Sequence, residues 1–492
     1  MKITAVGLRR ISQAWKDGDP GSPFERQSPD SLLSVASQTP AIGELPRKLG
    51  LLDATVMIIG IVIGSGIFVL PNLIARDLPS APAVLLVWII SGILSFIGAL
   101  AYAELGAMMP ATGGLYVYLR EAYGPLCAFV SGWTFMLAVL SGGTAWLTVM
   151  FSIYVGHFIP LTPFMSKVVS LVLLALLSAV NVIGVQEGAW VQRTFTFLKI
   201  AGLIVLIVAA MFSSRVAELH LDPGRIPQAF SLGRFGLAMA ACLMAYNGWS
   251  YVCFIAGEIK SPARNLLRSL VVGMAVVTAL YVFANLAYMR VMTVFEIAAS
   301  ERVGADVATR TMGAIGGAFV SLVVLVSIAG AVNGCIFTAA RIPFAQAKDG
   351  LFFSQFGRVH PRFQTPAFAI VIGGIWTAVL ILSGSYETLY SYSILAAWIF
   401  YTLGVLAVYV FRRSMPDFPR PYRMWGYPYT LWTFFGVSVW FIVNALVTEP
   451  RPSLMALVMI ATGVAVYRIW RKPESPPFTA PVAPPPSDKG YE

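Results

Sequence analysis

The groups in this chain best placed to do chemistry are backbone atoms at two interruptions in apolar runs. Gly60-Ile61-Val62-Ile63-Gly64-Ser65-Gly66-Ile67-Phe68 sits inside a run from about Ala54 to Leu73, and a bilayer crossing needs about 20 such residues. Gly64-Ser65-Gly66 is a weak point for a helix. In hydrocarbon, a broken helix persists only where its freed backbone groups line a cavity or meet a ligand. Close helix packing through Gly60 and Gly64 is the competing explanation. The second interruption, Met244-Ala245-Tyr246-Asn247-Gly248-Trp249-Ser250, lies in a later apolar run, and its Asn-Gly is a turn signal. Paired interruptions in corresponding spans of two halves are the best sequence pointer to a midplane transport site. The pairing therefore favours a site over mere packing, although Asn247 alone could simply satisfy a neighbouring helix.

The chemistry of such a site follows from the backbone. An unwound first span offers the N–H groups of Ser65, Gly66 and Ile67 at a half-helix N-terminus, which suits a carboxylate. The carbonyls from Ile61 to Gly64, helped by those around Ala245–Asn247, suit an ammonium group. Opposite polarities so close together suit a zwitterion, an α-amino acid. Met244, Tyr246 and Trp249 are large and mostly apolar, and neither break carries an acidic side chain. A neutral substrate is expected over a cationic one.

Lys199 is the third feature, the one Lys or Arg well inside a span. An intramembrane charge costs at least about 2.5–3.5 kcal/mol, so it is a functional hypothesis by default. Snorkelling is the alternative, but the residue lies far from both ends of its run. With no carboxylate equally deep, its expected partners are backbone carbonyls and hydroxyls such as Ser327. A fixed ammonium there would replace a bound sodium ion; a desolvated lysine could also release its proton.

These residues need a membrane scaffold. The 492 residues are 58% hydrophobic and 12% charged, with mean hydropathy +0.76, whereas soluble chains carry about 25% charged residues. An all-α integral membrane protein is predicted. Twelve apolar runs are read at about 54–74, 83–105, 122–155, 167–185, 190–212, 233–257, 269–292, 312–342, 366–384, 388–411, 427–447 and 453–471. The breaks lie five runs apart. Five is odd, so residues 51–212 and 233–411 would have opposite orientations, as inverted repeats require. Residues 427–471 supply two further helices. Residues 1–50 are predicted to be a mostly disordered cytoplasmic segment without a signal peptide, which leaves the first span as an uncleaved insertion signal. The proline-rich tail 472–492 should not fold.

With both ends inside, 24 of the 34 Lys and Arg fall in cytoplasmic segments and 9 in outer ones. That bias predicts cytoplasmic termini in a plasma or inner membrane. It also accounts for the +11 net charge, so no nucleic-acid partner is expected. The four cysteines lie in or beside apolar runs, so no extramembrane disulfide is indicated. No cofactor or metal is expected. Glu104 reads as interfacial solvation, Glu258 as that or a gate ion pair, and Asn333-Gly334 as a pathway lining or a kink.

Together these segments resemble the amino acid–polyamine–organocation superfamily, most strongly its L-type amino acid transporters and their prokaryotic relatives. The matching stretches include Lys48-Leu49-Gly50 through Pro71, Tyr102-Ala103-Glu104-Leu105-Gly106 and Met109-Pro110-Ala111-Thr112-Gly113-Gly114-Leu115-Tyr116. Gly124-Pro125, Gly132-Trp133, Tyr246 to Pro262, Asn333-Gly334 through Arg341 and Asp349-Gly350 extend the resemblance over about residues 47–470. It implies a leucine-transporter-type fold with helices 1 and 6 unwound, and sodium-independent transport with a lysine like Lys199 in a sodium site. Two departures stand out. Met244 occupies the place of an aromatic gate, and the loop Gly156–Lys167 has no cysteine. The disulfide to a heavy subunit made by animal relatives is therefore not expected.

The leading expectation is a secondary amino acid transporter, with exchange favoured and proton symport the alternative. A non-transporting nutrient sensor on the same fold is a further alternative. A membrane enzyme would need clustered His, Asp or Cys, but His157, His220 and His360 are scattered. No Walker A pattern is present to drive transport with ATP.

Overall fold

The computed structural model describes residues 45–213, 231–384 and 386–470. Most of the N-terminal segment, the proline-rich tail, His220, Arg215 and Arg225 lie outside the described residues. Among those described, ten helices are long and apolar enough to cross a membrane, and Leu232–Ala245 and Ala367–Ser383 are shorter apolar helices. The protein is a helical, multi-pass membrane protein.

The first run is interrupted as expected: α1 (Leu51–Val62) gives way to α2 (Gly66–Val69) and α3 (Pro71–Asp77). Then α4 (Ala81–Met108) leads to a short helix α5 (Leu115–Tyr123), which Gly124-Pro125 separates from α6 (Pro125–Thr134). A π-helical turn at Phe135–Leu140 joins α6 to α7 (Ser141–Val155), completing span 3. Helices α8 (Pro163–Ile183) and α9 (Val185–Met211) meet at Gly184. The second interruption ends α10 (Leu232–Ala245) before a 3₁₀ segment, Tyr251–Glu258. Next come α11 (Pro262–Val291), the short helices α12 (Val294–Ala299) and α13 (Val303–Met312), and α14 (Ala314–Ala339). Helix α15 (Arg341–Lys348) and a 3₁₀ turn (Ser354–Gly357) precede α16 (Ala367–Ser383), α17 (Tyr386–Ser414), α18 (Tyr429–Thr448) and α19 (Pro450–Trp470).

Burial sorts these helices. The interrupted first span, Leu51–Val69, with its three glycines, is almost wholly buried, as is most of α14; α8, α18 and α19 turn most of their surface outward. The broken helix therefore runs through the middle of the bundle.

One end of the bundle is tied by ions. Glu104 is fully buried and accepts Arg412 Nε at 3.0 Å, Arg412 Nη2 at 2.7 Å and the Met424 N–H at 2.5 Å, with Arg420 Nε at 3.6 Å. This corrects its assignment to interfacial solvation. Glu258, also fully buried, takes both Arg341 Nε at 2.8 Å and Nη2 at 2.9 Å. Asp349 pairs with Arg120 and accepts the Tyr116 hydroxyl at 2.6 Å. A short parallel pairing also joins the chain before α1 to the chain after the 3₁₀ segment. The Leu49 N–H donates to the Glu258 carbonyl at 3.0 Å, and the Lys260 N–H to the Leu49 carbonyl at 2.8 Å. The loop 109–114 closes on the same segment through Gly113 N–H to Phe254 O at 2.9 Å. Gly114 has φ +47°, and a Cβ there would fall 2.6 Å from the Cys253 carbonyl carbon, so only glycine fits.

Breaking a buried pair by removing one partner costs about 3–5 kcal/mol, because it strands the other charge. Glu258→Gln is expected to lower the thermal unfolding midpoint in detergent markedly, and the double change Glu258→Leu/Arg341→Met to restore most of it. A Glu258→Gln protein that melts with the wild type would show that this pair does not hold the end closed.

Candidate functional site

The first break is short. The Ile63 N–H reaches Ile59 O at 2.9 Å and the Gly64 N–H turns back to Val62 O at 2.8 Å, after which the helix restarts at Gly66. The N–H groups of Ser65, Gly66 and Ile67 find no acceptor among the described residues. The Ser65 hydroxyl is fully buried and likewise unpartnered.

The carbonyl side is different. Lys199 Nζ donates to Gly60 O, Ile63 O and Ser327 O, each at 2.8 Å. Ser327 Oγ donates to Ile63 O at 2.8 Å and Gly64 O at 3.0 Å. Tyr281 OH donates to Val62 O at 2.8 Å and spans across to Ala245 O at 3.1 Å. Of the carbonyls from Ile61 to Gly64, three already accept from protein side chains, and Ile61 O alone has no donor among the described residues. Lys199 and Ser327 do meet, but through the Ser327 carbonyl; its hydroxyl is spent on the break itself.

A small cavity of about 50 Å³ lies between the two breaks. Of the residues singled out from the sequence, Ile61, Gly64, Ser65, Gly66, Met244, Ala245 and Asn247 line it. Ile67, Tyr246 and Trp249 do not. Once the helix is lost, side chains no longer follow its period. Tyr246 turns to α4, where its hydroxyl donates to Trp88 O at 3.2 Å and its ring meets Tyr281 at 5.0 Å. Trp249 meets Tyr102 edge-to-face at 5.0 Å and Tyr401 at a tilt at 5.4 Å. Asn247 is held from two sides, accepting Tyr401 OH at 3.0 Å and donating to Tyr251 OH at 3.3 Å.

Sequence reasoning missed the third wall. Val139, Gly143, Trp146 and Leu147 of span 3 line the cavity, with Tyr251 and Cys335. The Gly142-Gly143 pair was a signal for close approach; nothing marked Trp146. Asn333 lines nothing here. It joins a buried knot, accepting Asn181 Nδ2 at 2.8 Å and donating to Gln192 Oε1 at 2.9 Å and Gly188 O at 3.1 Å. No carboxylate, lysine, arginine or histidine among the described residues borders the cavity. Among the described residues no cluster of metal-ligating side chains occurs.

Comparison with known proteins gives the family. The family model described as amino acid permease matches residues 49–466. The chain is 30% identical to the human b(0,+)-type amino acid transporter 1 over 459 residues, 91% of this chain and 94% of that one. It is also 30% identical to the serine/threonine exchanger SteT of Bacillus subtilis over 431 residues, 87% of this chain and 98% of that one. Identity to the human large neutral amino acids transporter small subunit 2 is 32% over 437 residues, covering 86% and 80%. These relatives are transporters, not enzymes. With the match running from the residues before α1 into α19, the chain belongs to the amino acid permease family of the amino acid–polyamine–organocation superfamily.

Proposed function

We propose that this protein is a sodium-independent secondary transporter of neutral amino acids that works by alternating access and favours exchange. The observation that carries the reading is the asymmetry of the first break. Its carbonyls are largely occupied by Lys199, Ser327 and Tyr281, while three N–H groups and the Ser65 hydroxyl stay open beside the cavity. A carboxylate supplies the missing acceptors. The Ile61 carbonyl and the loosened chain at Ala245–Asn247 then suit the substrate's ammonium group. The absence of a charged side chain in the lining favours a neutral substrate. Relatives named as b(0,+)-type, serine/threonine and large neutral amino acid transporters favour an amino acid without fixing which one.

Lys199 supports sodium independence. It holds a cation among carbonyls of α1 and α14, where an ion would otherwise have to sit. Three carbonyl acceptors match the three donors of an ammonium; a neutral amine would leave one acceptor facing a lone pair. That match favours a brace over a proton shuttle, and exchange over proton symport. Twelve crossings in a 5+5 inverted repeat are supported by pairing of equivalent helices: α4 against α11, α7 against α14, and α8 against α16. A two-fold axis in the membrane plane would produce such pairs. The excess of Lys and Arg in alternate segments supports cytoplasmic termini in the cell membrane. Without a cysteine in Gly156–Lys167, no disulfide-linked heavy subunit is expected.

The primary test is uptake of labelled amino acids into proteoliposomes, with and without internal substrate. Neutral amino acids should accumulate by counterflow at the same rate in sodium and in choline; uptake that collapses in choline at constant pH and potential would overturn the reading. Lys199→Ala removes the donor shared by Gly60 O, Ile63 O and Ser327 O; Ile63 O keeps the Ser327 hydroxyl, and a buried carbonyl left unsatisfied costs about 1–3 kcal/mol. It should weaken substrate binding and slow counterflow, and wild-type rates would make the lysine a passenger. If the mutant instead keeps exchange but loses only pH-driven accumulation, proton symport replaces exchange. At the break, a Cβ on Gly66 would press on Ala245 Cα at 3.2 Å, whereas one on Gly64 meets Ala331 and Leu147 at an ordinary 3.7 Å. Gly66→Val is expected to abolish substrate-induced thermal stabilisation while Gly64→Ala retains part of it. Unchanged stabilisation in a folded Gly66→Val protein would place the carboxylate elsewhere.

A further inference from the structure

Behind the walls of the transport cavity lies a second one, of about 650 Å³. Leu137 and Leu140 of the π turn form one side, Ala339 of α14 another, and Phe353, Phe368 and Trp376 the third. Its volume falls in the ordinary range for ligand sites, but its chemistry is one-sided. The wall's hydroxyls and indole are spent on backbone carbonyls: Ser141 Oγ to Met136 O at 2.6 Å, Thr144 Oγ1 to Leu140 O at 2.7 Å, Thr377 Oγ1 to Gly373 O at 2.8 Å, and Trp376 Nε1 to Leu137 O at 2.9 Å. Apart from the exposed Gln355 amide at the edge, little but hydrocarbon contact is left for an occupant. The lining runs along α16 from Phe368 to Thr377, roughly 13 Å at the rise of a helix. Phe353 and Phe368 at its edge are 46% and 42% exposed, so the cavity opens on the outer face of the bundle.

The rim carries a charge that the cavity lacks. Phe356 and Phe368 both line the cavity and meet with ring centroids 5.0 Å apart, which brings both ends of the connection between them to its rim. That connection holds Arg358 and Arg362, both exposed and neither in an ion pair among the described residues. From Gly350 to Tyr386 the sequence has no Asp or Glu. An apolar slot beneath unneutralised guanidiniums matches a molecule with a long hydrocarbon chain and an anionic head.

We propose that this cavity holds an acyl chain of an anionic phospholipid from the cytoplasmic leaflet, with the lipid phosphate against Arg358 and Arg362. The leaflet rests on the sidedness proposed above; the binding chemistry does not. Basic residues at this level attract anionic headgroups, and the slot supplies the chain with apolar contact that a flat surface cannot. The two cavities share walls. Val139 faces the transport cavity and its neighbours Leu137 and Leu140 the lipid slot; Cys335 faces the first and Ile336 the second. A chain in the slot therefore backs the very segments that shape the transport site.

The test is native mass spectrometry of the purified full chain in detergent, titrated with phosphatidylglycerol, with phosphatidylcholine of the same chains, and with the matching free fatty acid. Phosphatidylglycerol should bind at one site, roughly tenfold or more tighter than phosphatidylcholine, given about 1 kcal/mol per basic residue. Arg358→Gln/Arg362→Gln should erase that preference. A Cβ on Gly373, which lines the slot, meets nothing within 4 Å, so Gly373→Leu starts into open space and should abolish the single-site binding. Equal affinity for the two phospholipids, equal affinity for the fatty acid, or undiminished binding to folded Gly373→Leu would each overturn the proposal. The exposed arginine pair keeps the question decidable should the filled variant misfold. The measurement is indifferent to topology. Labelling of Arg358→Cys by an impermeant thiol reagent, in right-side-out vesicles and after permeabilisation, separately tests the sidedness.

Discussion

Everything in this protein's centre follows from one requirement: backbone groups freed by breaking a buried helix must find partners where water is scarce. The two ends of the first break meet that requirement in different ways. Its carbonyls are answered from within, by the Lys199 ammonium on α9, the Ser327 hydroxyl on α14 and the Tyr281 hydroxyl on α11. Its N–H groups are left open. A break satisfied at both ends would be a structural kink. One satisfied at neither would be too costly to keep. Half-satisfaction is what the proposed site rests on, and in that proposal it sets the sign of charge the site would prefer.

Close approach is what lets three helices reach one break. A Cβ on Gly60 would fall 2.1 Å from Gln192 Nε2 and 2.3 Å from Thr196 Oγ1, and one on Gly330 would lie 3.0 Å from Lys199 Nζ. Thr196 donates in turn to Val56 O at 3.2 Å. The glycines of the first span divide two tasks: Gly60, inside α1, admits its neighbours, while Gly64 sits in the break, where a Cβ would meet only ordinary contacts at 3.7 Å. Close packing and a broken helix, which looked like rival explanations of Gly60 and Gly64, are parts of the same construction.

What the sequence made legible was chemistry carried by the backbone and by isolation. Two interruptions five runs apart, and a lysine far from water, stand out because nothing else in an apolar run resembles them. Side-chain direction within the breaks was not legible. Periodicity assigns faces only while a helix lasts, so Tyr246 and Trp249 could not be told from Met244 and Asn247. Contacts across long separations were hidden for a related reason. Glu104 looked like a residue at a span end because Arg412, its partner, lies 308 positions away. Trp146 enters the cavity wall only through the way span 3 lies across the two breaks.

The pairing of Leu49 with Glu258 and Lys260 has a mechanical consequence. Two backbone hydrogen bonds, at 3.0 and 2.8 Å, clasp the leading end of α1 to the trailing end of the second broken span. Glu258 belongs to the same clasp and is anchored through Arg341 to the start of α15, directly after α14. Neither half-helix can therefore swing away on its own without tearing a strand-like seam, and a pull on one is a pull on both. Such hydrogen bonds are each worth only about 0.5–1.5 kcal/mol net, weak enough to part during a turnover. In the alternating-access proposal the seam would be a latch shared by two doors, making their opening a single event.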